Sequence, residues 1–331
     1  MSTGRIDAAR TARGGAAEPR PDGARPGRPE ARDGEGERAR TDAGGRVRTD
    51  AGQRAATAVG TASLRPARRA YIVALLAIMR REAARFVAQR GRLLSALVRP
   101  LVWLLIFAAG FRAALGVAIM PPYQTYITYE LYIVPGLCAM ILLFNGMQSS
   151  LALVYDREMG SMRLLLTSPL PRPWLLFAKL LGGAVVGVAQ VYAFLAVAAL
   201  FDIAVPWTGY LAALPAFLAV ALMLGALGLA LSSTVRQLEN FAGVMNFVIF
   251  PMFFLSTALY PLWRMAEASP LLRDLCAVNP FTQGVELIRF ALYGEAAWGP
   301  LGWVMLAFAV FLSLGVWAYD PARGLARRRG G

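Results

Sequence analysis

The segment Asp156-Arg157-Glu158-Met159-Gly160-Ser161-Met162-Arg163-Leu164-Leu165-Leu166-Thr167-Ser168-Pro169 holds the residues whose types and spacing point most directly to a task. Long apolar runs flank it on both sides. Its charges are costly inside hydrocarbon, so it has to lie at a membrane surface. Asp156 and Glu158 stand at its start, where carboxylates complement the positive end of a helix dipole. Met159, Met162, Leu165 and Leu166 recur at i, i+3, i+6 and i+7 and form one apolar face. Pro169 and Pro171 stop the helix. The chemistry on offer is recognition rather than bond making. An apolar stripe of this kind fits a groove on a soluble partner, or it lies on lipid.

Reactive constellations are missing elsewhere in the sequence. It contains no histidine, which excludes His-dependent metal sites, Ser-His-Asp hydrolysis and the H-E-x-x-H metalloproteases. The only lysine, Lys179, follows Phe177-Ala178 rather than a glycine-rich turn, and no G-x-x-x-x-G-K-[ST] phosphate loop is present. The sequence therefore offers no phosphate-loop ATP site of its own. Cys138 and Cys276 show no C-x-x-C spacing. Both could lie near the outer side, which leaves a disulfide open; their apolar surroundings favour two free thiols.

The elements that must position the island follow from composition. The chain is 57% hydrophobic, 16% charged and has a mean hydropathy of +0.50. Soluble domains carry roughly 25% charged residues, and here the apolar residues come in long runs, as in an integral membrane protein. The fold class expected is all-α and membrane-integral. A bilayer core of about 30 Å takes roughly 20 helical residues. Six spans meet that length: 94–115, 131–154, 174–201, 210–233, 241–263 and 301–319. Arg99 and Arg112 stand near the ends of the first, where they can snorkel.

Loop charge sets the orientation. The connections 116–130 and 202–209 have no Lys or Arg, whereas 154–173 carries Arg157, Arg163 and Arg172, and 234–240 carries Arg236. The tail adds Arg323, Arg327, Arg328 and Arg329. Positive-inside then puts both termini, the island and the 234–240 loop in the cytoplasm. The net charge of +14 thus serves topology, and no nucleic acid is expected as a partner. Arg236, Glu239 and Asn240 read as a short polar connector or as a smaller contact to a soluble partner.

Residues 1–69 hold 15 Arg and 9 Asp or Glu among Ala, Gly and Pro, with few large apolar residues. They are expected to be a disordered cytoplasmic tail, read either as an anionic-lipid or regulatory arm or as an unconstrained extension. From 70 to 92, Tyr71, Ile72, Leu75, Leu76, Ile78, Met79, Phe86 and Val87 alternate with arginines at helical spacing. This predicts an amphipathic helix in the membrane interface, meeting lipid headgroups. The 264–299 segment is too apolar for an ordinary external loop. Interrupted by Pro270, Asn279, Pro280 and Gly284, it reads as short re-entrant helices between spans five and six. Pro251 removes one backbone hydrogen bond and predicts a bend in span five. Gly183 and Gly187 have G-x-x-x-G spacing, which serves close helix approach between copies or ordinary packing within one.

Three stretches resemble the ABC-2 type permeases, the six-span membrane subunits of a class of ATP-driven exporters. Tyr155-Asp156-Arg157-Glu158 through Ser168-Pro169-Leu170-Pro171-Arg172 looks like that family's first cytoplasmic loop. Asn246-Phe247-Val248-Ile249-Phe250-Pro251-Met252-Phe253-Phe254-Leu255-Ser256 through Tyr260-Pro261-Leu262 resembles its fifth span. Asn279-Pro280-Phe281-Thr282 through Glu286-Leu287-Ile288-Arg289 is similar to its N-P-x-T element before the last span. The resemblance covers 70–331, and Phe144-Asn145-Gly146-Met147-Gln148-Ser149-Ser150 is similar to a subgroup linked to bacterial alcohol-oxidation gene clusters. Thr257 stands where the family often has Gly.

The resemblance implies an export permease in the bacterial inner membrane, with no enzymatic activity and no cofactor of its own. ATP and magnesium would sit on two copies of a separate ATPase subunit. A second permease subunit, giving a homodimer, would complete the pathway. Asp156, Arg157, Glu158, Met159, Gly160, Met162, Arg163, Leu165, Leu166 and Pro169 become the ATPase-coupling helix. Asn246, Phe250, Pro251, Asn279 and Pro280 become the gating or pathway residues, with Tyr192 and Phe194 as further lining for an amphipathic or lipid-like cargo. Acidic residues are absent from the central turns of spans two to six, where proton-coupled carriers place Asp, Glu or His. A secondary transporter or channel needing no ATPase stays as the alternative, with backbone-coordinated sodium open to it. An intramembrane enzyme would need a nucleophile or acid–base pair at depth, and none is seen.

Overall fold

The computed structural model describes residues 68–88, 91, 98–106, 121–123, 127–158, 170–203, 205–235 and 237–318. The 1–67 part of the expected tail, the end of the chain from 319, Met159–Pro169 of the island and Arg236 lie outside the described residues.

Within them the secondary structure is helical, with no strand. The helices are α1 (Arg68–Ala88), α2 (Tyr129–Glu158), α3 (Arg172–Leu200), α4 (Trp207–Ala212), α5 (Leu214–Thr234), α6 (Leu238–Phe254), α7 (Leu262–Ala268), α8 (Pro270–Val278), α9 (Pro280–Leu292) and α10 (Trp298–Ala318). Residues 98–106 are helical as well. Among the described residues four helices are long and apolar enough to cross a membrane: Tyr129–Tyr155 of α2, Pro173–Leu200 of α3, α5 and α10. At about 1.5 Å per residue, the 30 residues of α2 exceed a hydrocarbon core of roughly 30 Å.

The bundle is built around α2 and α5. α5 packs between α2 and α10, and α2 also contacts α3, α6 and α9. Buried Leu137, Leu142, Leu143, Phe194, Phe217, Val220, Leu224, Ile249, Phe253 and Ile288 form one continuous core. Close approach depends on missing side chains. A Cβ on Gly187 would stand 2.7 Å from Asn145 Nδ2, and one on Gly136 would stand 2.7 Å from the backbone of Ala258. Asn145 Nδ2 donates to the Gly183 carbonyl at 2.7 Å and ties α2 to α3. The Gly183–Gly187 pair therefore serves packing within one subunit.

Several expected boundaries shift. The stretch read as one span over 210–233 is divided: α4 ends at Ala212, and α5 restarts with Pro215 in its first turn. The span read over 241–263 is a 17-residue helix ending at Phe254, shorter than a crossing needs. Pro251 lies inside α6, which continues one turn past it and stops at Leu255. Gly284 does not interrupt a helix; it is buried inside α9, facing Val220. A helix, α1, forms where the interfacial one was expected, and it packs against α3. Tyr71 meets the Trp174 ring edge-on at 5.6 Å, and Met79 and Glu82 border Gly182, so α1 runs beside the first turns of α3. The missing side chain at Gly182 lets this amphipathic helix approach α3 closely. Both cysteines are free and buried.

Candidate functional site

α6 has two contrasting faces. Phe241, Ile249 and Phe253 are buried, and the helix packs on α2 through this side. Asn246, Phe247, Phe250 and Phe254 are exposed, Phe247 at 79%. The rings of Phe250 and Phe254 stack at 6.4 Å, and the Trp103 ring meets Phe253 and Phe254 edge-on at 5.9 and 6.0 Å. This puts the 98–106 segment beside α6. Asn246 lies midway along an apolar helix with its side chain outward, where a carboxamide facing lipid would be left unsatisfied. A face of this composition suits a second protein surface or a hydrated path. Pro251 is exposed on the same helix.

Asn279 and Pro280 play another part. Asn279 Oδ1 accepts from the Phe281 N–H at 2.9 Å, capping α9, and Pro280 takes its first turn. The Asn279 Nδ2 group donates to the carbonyls of Met252 and Leu255 at 2.8 and 2.7 Å. These are carbonyls at the end of α6 that the helix itself leaves without partners. One side chain thus closes two helix ends at once and ties the end of α6 to the start of α9. The structure brings Pro251, Asn279 and Pro280 together at this joint, whereas Asn246 and Phe250 lie on the open face. Phe194 is buried in the core and the Tyr192 hydroxyl donates to the Tyr210 carbonyl at 2.6 Å. Neither joins that face, because both fill the packing around α3.

Beside the joint is a buried charge whose place the sequence reading missed. Arg289 is fully buried. It pairs with Glu286, donates from Nη2 to the Thr257 carbonyl at 2.9 Å, and places its guanidinium 4.3 Å from the centre of the Tyr132 ring. Tyr132 donates to the same carbonyl at 3.1 Å, and Tyr129 donates to that of Leu259 at 3.0 Å. The nonhelical stretch after α6 is thereby pinned to both α2 and α9. Tyr123 and Tyr293 stand edge-on at 4.8 Å nearby, and burial pushes both phenols up, so they remain neutral. The signal in the sequence was the i, i+3 pair Glu286 and Arg289 inside an apolar run, a spacing that lets opposite charges meet on one helix face.

Of the island, the structure describes the backbone at Asp156, Arg157 and Glu158 as the last turn of α2. Their side chains, together with Met159, Gly160, Met162, Arg163, Leu165, Leu166 and Pro169, lie outside the described residues. Among those described, no cluster of His, Cys, Asp and Glu suited to a metal is found.

Residues 73–293 match the family model of the ABC-2 type transporter. The chain is similar to the candidate transport permease ycf38 of Porphyra purpurea, with 28% identity over 212 residues, 62% of this chain and 69% of the relative. The corresponding proteins of Cyanophora paradoxa and Pyropia yezoensis are 28% and 27% identical over 215 and 212 residues, with the same coverage. The family match spans α1 to α9 and takes in all three stretches in which the resemblance lay. This chain is a multi-pass membrane protein and transport permease, and it belongs to the ABC-2 type transporter family.

Proposed function

We propose that this permease is the membrane subunit of an ATP-driven exporter in a bacterial inner membrane, with six spans, both termini in the cytoplasm and ATP hydrolysed by a separate partner. Family membership supports transport. The observation that carries the pathway is the outward face of α6, where Asn246 sits exposed among Phe247, Phe250 and Phe254. Two copies related by a twofold axis bury such a face against itself and leave Asn246 beside the cargo. The 94–115 span contributes the helical 98–106 segment, and α6 with the stretch up to Trp263 completes the fifth crossing.

Coupling runs through 154–173. Met159, Met162, Leu165 and Leu166 present the stripe that two ATPase subunits grip, and Asp156, Arg157, Glu158 and Arg163 frame it. Force on this loop acts on α2, which packs against α6 and α9. The Asn279 bridge then carries motion across the α6–α9 joint. ATP and magnesium belong to the partner. Copurification tests the scheme: full-length protein captures an ATPase subunit, and replacement of 156–166 abolishes capture. A full-length protein that drives flux of its cargo with an ion gradient, and never captures an ATPase, would establish the secondary-transporter reading instead.

A further inference from the structure

A mainly apolar cleft opens between the 98–106 segment, α2 and α3, with Arg99, Phe144, Asn145, Gln148 and Gln190 in its lining. The sequence placed Arg99 near the end of a span, free to snorkel. The structure instead lays its guanidinium over the Phe144 ring, 4.0 Å from the centre, at the midpoint of α2. The ring face offers a cation a partner that hydrocarbon does not. Among the described residues no carboxylate pairs with Arg99. Arg99 is exposed at the mouth of the cleft, and a charge placed within a span marks a ligand path or site. A second observation is independent of the first: Gln190 is 2% exposed, and its Oε1 is buried with no hydrogen-bond partner. Asn145 Nδ2 is already committed to the Gly183 carbonyl. The cleft thus offers one cationic donor and one waiting acceptor between apolar walls.

We propose that this cleft binds the carboxylate head of an amphiphile. The carboxylate sits on the Arg99 guanidinium, a charge-assisted contact. A hydroxyl beside it, or the water it carries, donates to Gln190 Oε1. The enclosed space is about 20 Å³, room for that hydroxyl or water alone, so the carboxylate stays at the mouth on exposed Arg99 and the tail lies outside. Val102, Leu105 and Ile106 are exposed on the 98–106 segment and give the tail an apolar track. A phosphate, with more oxygens to satisfy than one guanidinium serves, fits less well. The site rests on the membrane-spanning reading of α2 and α3, and on no ATPase.

The test is binding of radiolabelled decanoate to the full chain in neutral-lipid nanodiscs, with no partner present, so failure of the coupling scheme leaves it untouched. Saturable binding is expected, weakened at least about tenfold in Arg99→Gln, as loss of a charge-assisted hydrogen bond implies. Arg99→Lys, which keeps the charge, should retain most of the affinity and show that the pocket is folded. 3-Hydroxydecanoate should bind more tightly than decanoate in the native chain, and equally in Gln190→Leu. Displacement by phosphatidylserine but not phosphatidylglycerol marks a resident carboxylate lipid as the ligand; no displacement by either marks a free acid. Equal decanoate binding by the native chain and Arg99→Gln, or competition by decanol as strong as by decanoate itself, overturns the proposal.

Discussion

Arg289 concentrates more structural consequence than any other side chain described. It is fully buried, and it is held by one carboxylate, one carbonyl and one ring. A buried ion pair adds little net stability over apolar residues of the same size, but breaking one by removing a single partner costs about 3–5 kcal/mol. Arg289→Met should therefore lower the thermal midpoint in detergent sharply, because Glu286 is left without its cation. Arg289→Lys should recover little, since an ammonium is a point charge that cannot serve the carboxylate, the Thr257 carbonyl and the Tyr132 face together. A native midpoint in Arg289→Met would show that the cluster is not what pins the 255–261 stretch. Asn279→Ala removes a cap and two carbonyl partners, and at roughly 1 kcal/mol for the cap alone it should loosen the joint measurably. Faster amide exchange over 252–256 is the readout.

Helix packing turns on places where one element comes within backbone distance of another. Gly136 of α2 faces Ala258, and a Cβ there would stand 2.7 Å from its backbone atoms. Gly243 of α6 has nothing within 4 Å. Gly136→Ala should cost about 1–3 kcal/mol as overpacking. Gly243→Ala should be neutral or stabilise α6 by up to about 1 kcal/mol through helix propensity. Paired thermal melts decide this, and equal midpoints would mean that α2 and the Ala258 turn are free to separate. The long apolar runs of α2, α3, α5 and α10 were legible because roughly 20 apolar residues in a row leave few alternatives. The end of α6 at Phe254 was not: the run continues to Trp263, and what stops the helix is distant. Tyr132, Tyr129, Arg289 and Asn279 take the carbonyls that a continuing helix would have used. The break at Ala213 was hidden likewise, because Pro215 fits a first helical turn and the flanking residues stay apolar. Asn246 and Phe250 could be singled out from their motif, whereas Phe194 looked equally suited to a pathway and only tertiary packing assigns it to the core. The contact of Arg99 with Phe144 was invisible for the same reason, since the ring that receives it lies on another helix.

At the scale of the whole molecule, two surfaces compete for the role of subunit interface. α10 is largely exposed and carries Trp303, Met305, Leu306, Val310, Leu314 and Trp317 outward, an all-apolar belt suited to lipid. α6 exposes Asn246 among aromatic rings. In a homodimer closed by a twofold axis each face meets its own copy. With Cys138 and Cys276 replaced by Ser, Phe250→Cys should therefore form a cross-linked dimer in membranes while Trp303→Cys should not; the reverse pattern would move the interface to α10. In the proposed scheme energy enters such a dimer through the loop that follows α2, and this is the central claim. The most direct measurement is the ATP hydrolysis rate of the copurified partner in nanodiscs, with native permease, Met162→Asp or Leu165→Asp. The account predicts that native permease raises the rate, and that either substitution abolishes the increase while the permease stays monodisperse and keeps its thermal midpoint. Full stimulation by both substituted permeases would contradict it.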